Sequence, residues 1–212
     1  MKRIADIVAS CKSGSQTASL EIDPASLLSV AITPGSLAGG ASATGTVTLT
    51  GQAGAGGTVV KLSSSLGSTT LPASVTVANG KTSATFTIKT TPVSRQSVAT
   101  MKASLGATSV TATLTVNPPF LVSLSLSPTS VKGGKSASGT VTIGSAAPVG
   151  GLSVALGSNL SSATVPATVT IAAGKTSVKF TVSTLHVTAK VAATITANLG
   201  GATKKSTLTL TP

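Results

Sequence analysis

A chain of 212 residues that carries 15 Lys or Arg against three acids, with three Phe and neither Tyr nor Trp, has room for one large domain or two ordinary modules. No segment approaches the ~18 consecutive apolar residues that span a bilayer, and a single cysteine excludes a disulfide within the chain. The Val, Thr, Ser and Ala that dominate favour half-buried strands over helices, so the expectation is a soluble all-β protein.

Residues 1–27 stand apart. Ile4, Ile7 and Val8 recur at helical spacing, Ser13-Gly14-Ser15 breaks the pattern, and Ala18, Leu20 and Ile22 then alternate as a short strand would. Val8-Ala9-Ser10-Cys11 looks like a bacterial lipoprotein cleavage box, but the apolar stretch before it is short and contains Asp6, which does not suit a signal sequence. The segment reads either as a leader without fixed structure or as an anchoring arm. In the second reading Ile4, Ile7, Val8, Leu20 and Ile22 order on a partner or add a strand to a neighbour's sheet. Cys11 is either an incidental thiol or a link between chains.

All three acids, Asp6, Glu21 and Asp23, lie in this arm, where Lys2, Arg3 and Lys12 balance them. From Pro24 onward there is no carboxylate side chain, so the whole net charge of +12 sits on the remainder. A basic surface without acids attracts anionic partners such as acidic glycans or a cell envelope. Lys132, Lys135, Lys175, Lys179, Lys204 and Lys205 are the candidates for such a surface. Spread as they are, the same lysines also serve solubility and discourage sheets from pairing edge to edge.

The arm is followed by a duplication. Residues 28–118 align with 122–212 without gaps at an offset of about 94 residues, and about 42 of 91 positions are identical. Gly45-Thr46-Val47-Thr48 meets Gly139-Thr140-Val141-Thr142, and Gly80-Lys81-Thr82-Ser83 meets Gly174-Lys175-Thr176-Ser177. Within the first copy, apolar residues alternate with Ser, Thr or Lys in seven runs. They are Leu28/Val30/Ile32, Val47/Leu49, Val60/Leu62, Val75/Val77, Ala84/Phe86/Ile88, Ala99/Met101/Ala103/Leu105 and Val110/Ala112/Leu114/Val116. Period two places one face of each strand in a core and the other in water. Seven such strands in about 90 residues make a two-sheet sandwich, with Phe86 and Phe180 as core packing residues in equivalent places. Lys204 interrupts the inward pattern where the first copy has Val110, which marks the last strand as a sheet edge there.

Between the copies stands a linker, residues 119–121, preceded by Asn117-Pro118. The adjacent prolines leave little slack, so a short end-to-end rod is expected with Phe120 packed at the junction.

The segments Leu124–Gly134, Ala163–Ile171 and Thr207–Pro212 resemble the bacterial immunoglobulin-like repeats (the Big or invasin type) of surface, secreted and phage virion proteins. The resemblance covers both copies. It implies two tandem seven-stranded immunoglobulin-like β-sandwiches behind a short N-terminal arm, serving as spacer, adhesive tip or decoration.

The repeats offer little for catalysis. Neither copy has a carboxylate for paired acid–base work, and His186 is the only histidine, with no acid in its own copy to orient it. Clustered metal ligands are missing, and no glycine pair joins a strand to a helix as a phosphate loop requires. Aromatic platforms for single-stranded nucleic acid or sugar rings are lacking. Asn159-Leu160-Ser161 is a glycosylation sequon only on a suitable secretory route. The reading is therefore a non-enzymatic structural or adhesive protein without a cofactor, a metal, specific nucleic-acid binding or a membrane span. Its expected partner is a protein of a larger assembly (capsid, tail or surface filament), as a homo-oligomer, with anionic glycans or an envelope as further ligands. Without an export signal, a phage virion decoration or tail-associated protein held by its arm ranks first. A bacterial cell-surface or extracellular adhesin, or a filament subunit, is the alternative.

Overall fold

The computed structural model describes residues 3–212, with the side chains of Arg3 and Ile22 outside the described part. Every described element is a strand. The arm forms β1 (Arg3–Cys11) and β2 (Gly14–Ile22), an antiparallel hairpin that is a two-stranded sheet of its own. By contacts the chain divides into two compact units, the hairpin falling with the first.

In the first repeat the strands are β3 (Leu27–Thr33), β4 (Ser36–Ala38), β5 (Ser42–Leu49), β6 (Thr58–Ser64) and β7 (Thr69–Thr70). They continue as β8 (Ser74–Val77), β9 (Ser83–Thr90), β10 (Ser97–Leu105) and β11 (Thr108–Asn117). One sheet runs β3-β5-β9-β7 and the other β4-β11-β10-β6-β8. Because β5 lies beside β9 and β6 beside β10, chain neighbours alternate between sheets, the Greek-key exchange of an immunoglobulin-like sandwich. The inner faces carry Val47, Phe86 and Ile88 from one sheet and Val60, Ala99, Met101 and Leu114 from the other, all buried.

The second repeat has β12 (Leu121–Ser127), β13 (Ser130–Lys132), β14 (Ala137–Ile143), β15 (Leu152–Ser158) and β16 (Ala163–Thr164). β17 (Thr168–Ile171), β18 (Ser177–Thr184), β19 (Val191–Leu199) and β20 (Ala202–Thr211) complete it. Its sheets run β12-β14-β18-β16 and β13-β20-β19-β15-β17, the same plan. Val141, Phe180 and Val182 meet Val154, Ile195 and Leu208 in one contiguous core.

Several features depart from the alternation in the sequence. β4 and β7, with their counterparts β13 and β16, are additional to the seven runs. β4 and β13 arise because Pro34 and Pro128, which follow cis peptide bonds, have no amide hydrogen to extend the preceding ladder. The chain there leaves one sheet and resumes in the other, parallel to β11 or β20. Leu28 is exposed, not inward, because a bulge between Leu27 and Ser29 turns the pleat. Leu27 takes its place in the core, 4% exposed and paired with Leu49. The same bulge exposes Val122 and buries Leu121.

The glycine pairs of the repeat have a backbone reason. Gly56 and Gly57 both turn with positive φ (88° and 78°), as do Gly150 and Gly151 (92° and 82°), a conformation that side chains with a Cβ rarely adopt.

Candidate binding surface and N-terminal hairpin

The helical reading of Ile4, Ile7 and Val8 is corrected by the fold: these residues lie in β1. Opposite residues of an antiparallel pair share a face, so the register sorts the hairpin. Ala5 opposite Leu20, Ile7 opposite Ala18 and Ala9 opposite Gln16 form a mainly apolar face. Ile4 opposite Glu21, Asp6 opposite Ser19 and Val8 opposite Thr17 form the other, which holds both acids of the hairpin. Spacings of three and four residues suit a helix, yet the partner strand β2 supplies backbone bonds to every other residue of β1 and decides the matter. The five residues proposed as an anchor are thus divided: Ile7 and Leu20 on one face, Ile4 and Val8 on the other. The side chain of Ile22 lies outside the described residues.

The hairpin has no core. Ile4 is 70% exposed, Ile7 58%, Val8 57% and Leu20 52%, whereas full burial of one such side chain contributes about 1.5–3 kcal/mol. A two-stranded hairpin left uncovered in water is marginal. At its turn Cys11 is exposed, and its thiol lies 3.0 Å from the Ser13 hydroxyl. That hydrogen bond, reinforced by backbone bonds at Ser13 and Gly14, holds the thiol below its ordinary pKa, with a smaller opposing contribution from desolvation. The Ser19 hydroxyl donates to Asp6 at 2.5 Å.

Lys132, Lys135, Lys175, Lys179, Lys204 and Lys205 are all exposed. The fold does not gather them into one patch. Lys132 ends β13, and its carbonyl accepts from the Lys135 amide at 3.0 Å; Lys175 sits in the turn before β18, and Lys179 pairs across to Thr140. Lys204 and Lys205 lie near the start of β20, opposite Ala197 and Thr196. They are roughly 20 Å along the strand from the Lys132 register position at Thr211. The one sequence-adjacent pair among the six is therefore Lys204-Lys205. β13 pairs with β20 only from Thr209 to Thr211, so beside both lysines that side of the strand has no hydrogen-bonded neighbour among the described strands, although β12 of the other sheet runs close to β20. Lys204 is on the inward face with buried Ala197, and Lys205 is on the outward face.

Other sequence candidates have structural surroundings. Asn159 Oδ1 accepts from the Thr194 amide at 2.7 Å, so the sequon asparagine ties its loop to β19. His186 is exposed in the loop after β18. Phe120 is 62% exposed, and its ring lies against the bare Cα of Gly144. Among the described residues no group of three or more His, Cys, Asp or Glu could hold a metal. Among the described residues no helix is long and apolar enough to cross a membrane.

A feature missed in the sequence is a hydroxyl clamp. The Thr90 hydroxyl donates to the Ala41 carbonyl at 2.6 Å and accepts from the Gly40 amide at 3.1 Å. In the second repeat Thr184 does the same with the Lys135 carbonyl and the Gly134 amide, at 2.6 and 3.1 Å. Identity of Thr90 and Thr184 in the alignment is the signal that could have found it.

No family model matches the chain, and no curated protein matches it. Among solved structures it is similar to the Yersinia pseudotuberculosis adhesin InvE, at 19% identity over 88% of this chain and 58% of that one, with a TM-score of 0.43. It is similar to invasin, described as a bacterial integrin-binding protein, at 16% identity over 100% of this chain and 46% of that one, TM-score 0.40. It is also similar to domains 4 and 5 of the S-layer protein SbsC, at 20% identity over 90% and 100%, TM-score 0.37. The chain spans less than two thirds of the InvE and invasin structures.

Proposed function

We propose that this chain is a non-enzymatic structural and adhesive module of an outer surface, whose basic sandwiches hold an anionic partner. The observation that supports this is the charge partition: no carboxylate side chain occurs after Asp23, and the net +12 lies on the two repeats. Lysines distributed over exposed strands and turns suit an extended polyanion, such as an acidic glycan or envelope polymer, better than a compact ligand. The repeats also lack paired acids for hydrolysis, and the scaffold is rigid β-sheet. The domain reading that accompanies this places an arm at 1–27, sandwiches at 28–118 and 122–212, and a linker at 119–121.

The test is retention on immobilised acidic polysaccharide across a salt series. Release between low and physiological ionic strength supports the reading, since screening shortens to about 8 Å at 0.15 M; retention that ignores salt, or none at low salt, overturns it. A virion and a bacterial surface both satisfy this function. Immunogold labelling separates them: label on intact cells supports the surface protein, and label confined to phage particles supports the decoration protein.

A further inference from the structure

We infer that the N-terminal hairpin of one chain adds, as an extra pair of strands, to the open edge of β20 in a second copy of the chain. Three observations converge. The hairpin is a two-stranded sheet of its own, with an apolar face on which Ile7, Ala18 and Leu20 are exposed and Ala5 is half-buried. β20 has seven residues, Ala202–Leu208, with β19 on one side and no β13 pairing on the other. Charge then selects the match.

Lys204 and Lys205 stand on that edge, one on each face. Lysines at an edge repel strands that bring positive charge. From Pro24 onward the chain has no acid side chain, so no sandwich edge from another copy brings a charge that these lysines attract. The hairpin is charge-balanced overall, with Arg3 and Lys12 against Asp6 and Glu21, but its two acids share one face while Arg3 falls in the other register row. It is the segment of this chain that the edge lysines favour, and the same pair of charges rejects the wrong partner while admitting the right one. The equivalent stretch of the first repeat, Thr108–Leu114, is also uncovered by β4 but carries no charge, which directs the hairpin to the second repeat. With its acidic face toward Lys205, the hairpin turns its apolar face to the core side of the extended sheet, where the Lys204 stem lies. Strand addition of this kind gains backbone hydrogen bonds irrespective of side chain, and the charges set the specificity.

The experiment is sedimentation velocity on the full chain over a concentration series at low salt, with no anionic ligand present. The native chain is expected to self-associate. Lys204→Glu/Lys205→Glu and Asp6→Lys/Glu21→Lys should each weaken the dissociation constant by at least about tenfold, because each places like charges at the contact. An equimolar mixture of the two variants should regain association, since the acidic hairpin of the first meets the basic edge of the second. All four positions are on exposed residues, and this mixture needs only one intact hairpin and one intact edge. A native chain that stays monomeric, a variant that associates as the native chain does, or a mixture that does not associate overturns the inference. None of these outcomes bears on retention by acidic polysaccharide, so the two readings fail separately.

Discussion

The Phe86 ring lies on the bare Cα of its cross-strand partner Gly45, so closely that a methyl group at Gly45 would overlap it. Phe180 and Gly139 repeat the relationship in the second sandwich. Each repeat has one core aromatic, and the glycine opposite leaves room for the tip of its ring over the neighbouring strand. A ring covering a strand glycine also shields backbone that would otherwise lack side-chain cover. Gly45→Ala and Gly139→Ala are therefore expected to destabilise their own repeat by about 1–3 kcal/mol through overpacking, read as a lowered urea midpoint with an unchanged slope.

Removing the ring tests the same contact from the other side. Phe86 is 6% exposed and Phe180 7%, so each Phe→Ala change should cost about 3–5 kcal/mol. Chemical denaturation of the single variants checks this, and a loss near zero would contradict the packing described.

The hydroxyl clamp predicts a smaller loss. Thr90→Val and Thr184→Val keep the side-chain volume but remove the hydroxyl that bridges amide and carbonyl, while the Ala41 carbonyl keeps the Thr90 amide at 3.2 Å. Each should cost about 0.5–1.5 kcal/mol, the net value of a hydrogen bond whose partners water can reach. Amide hydrogen exchange at Gly40 and Gly134 should quicken at the same time.

Truncation should distinguish the hairpin from the core. Deleting residues 1–23 removes a hairpin that is a sheet of its own and should leave the thermal midpoint of the sandwiches unchanged. Deleting residues 1–27 also removes Leu27, 4% exposed and paired with Leu49, and should cost about 2–5 kcal/mol. Calorimetry of the two truncated chains gives the comparison.

Cys11 offers a pH readout of the hairpin turn. Its thiol is held below the ordinary value by the Ser13 hydroxyl first and then by backbone bonds. The thiolate that reacts with alkylating agents should thus form at lower pH than in a free cysteine. Ser13→Ala should move the alkylation profile back to higher pH. Identical profiles for the two proteins would show that the turn is not formed in solution.

Much of this molecule was legible in the order of its residues. The gapless duplication, the inward rows such as Val47/Leu49 and Ala99/Met101/Ala103, and the confinement of every acid to the first 23 residues need no coordinates, because period-two alternation and charge are local properties. What lay beyond the sequence were choices made by partners distant along the chain. Ile4, Ile7 and Val8 satisfy a helix by spacing, and only pairing with β2 makes them strand residues on two different faces. Leu28 alternates correctly with Val30, yet the bulge at Leu27 gives the core position to its neighbour. Gly45 is only a matched position of the duplication until Phe86 is found above it. The open edge at Lys204 and Lys205 is also of this kind: the interrupted pattern suggested an edge, but its extent depends on how far β13 runs along β20. Composition and periodicity determined which residues can be buried; tertiary pairing decided which ones are, because a strand's partners are set by register between segments that the sequence keeps far apart.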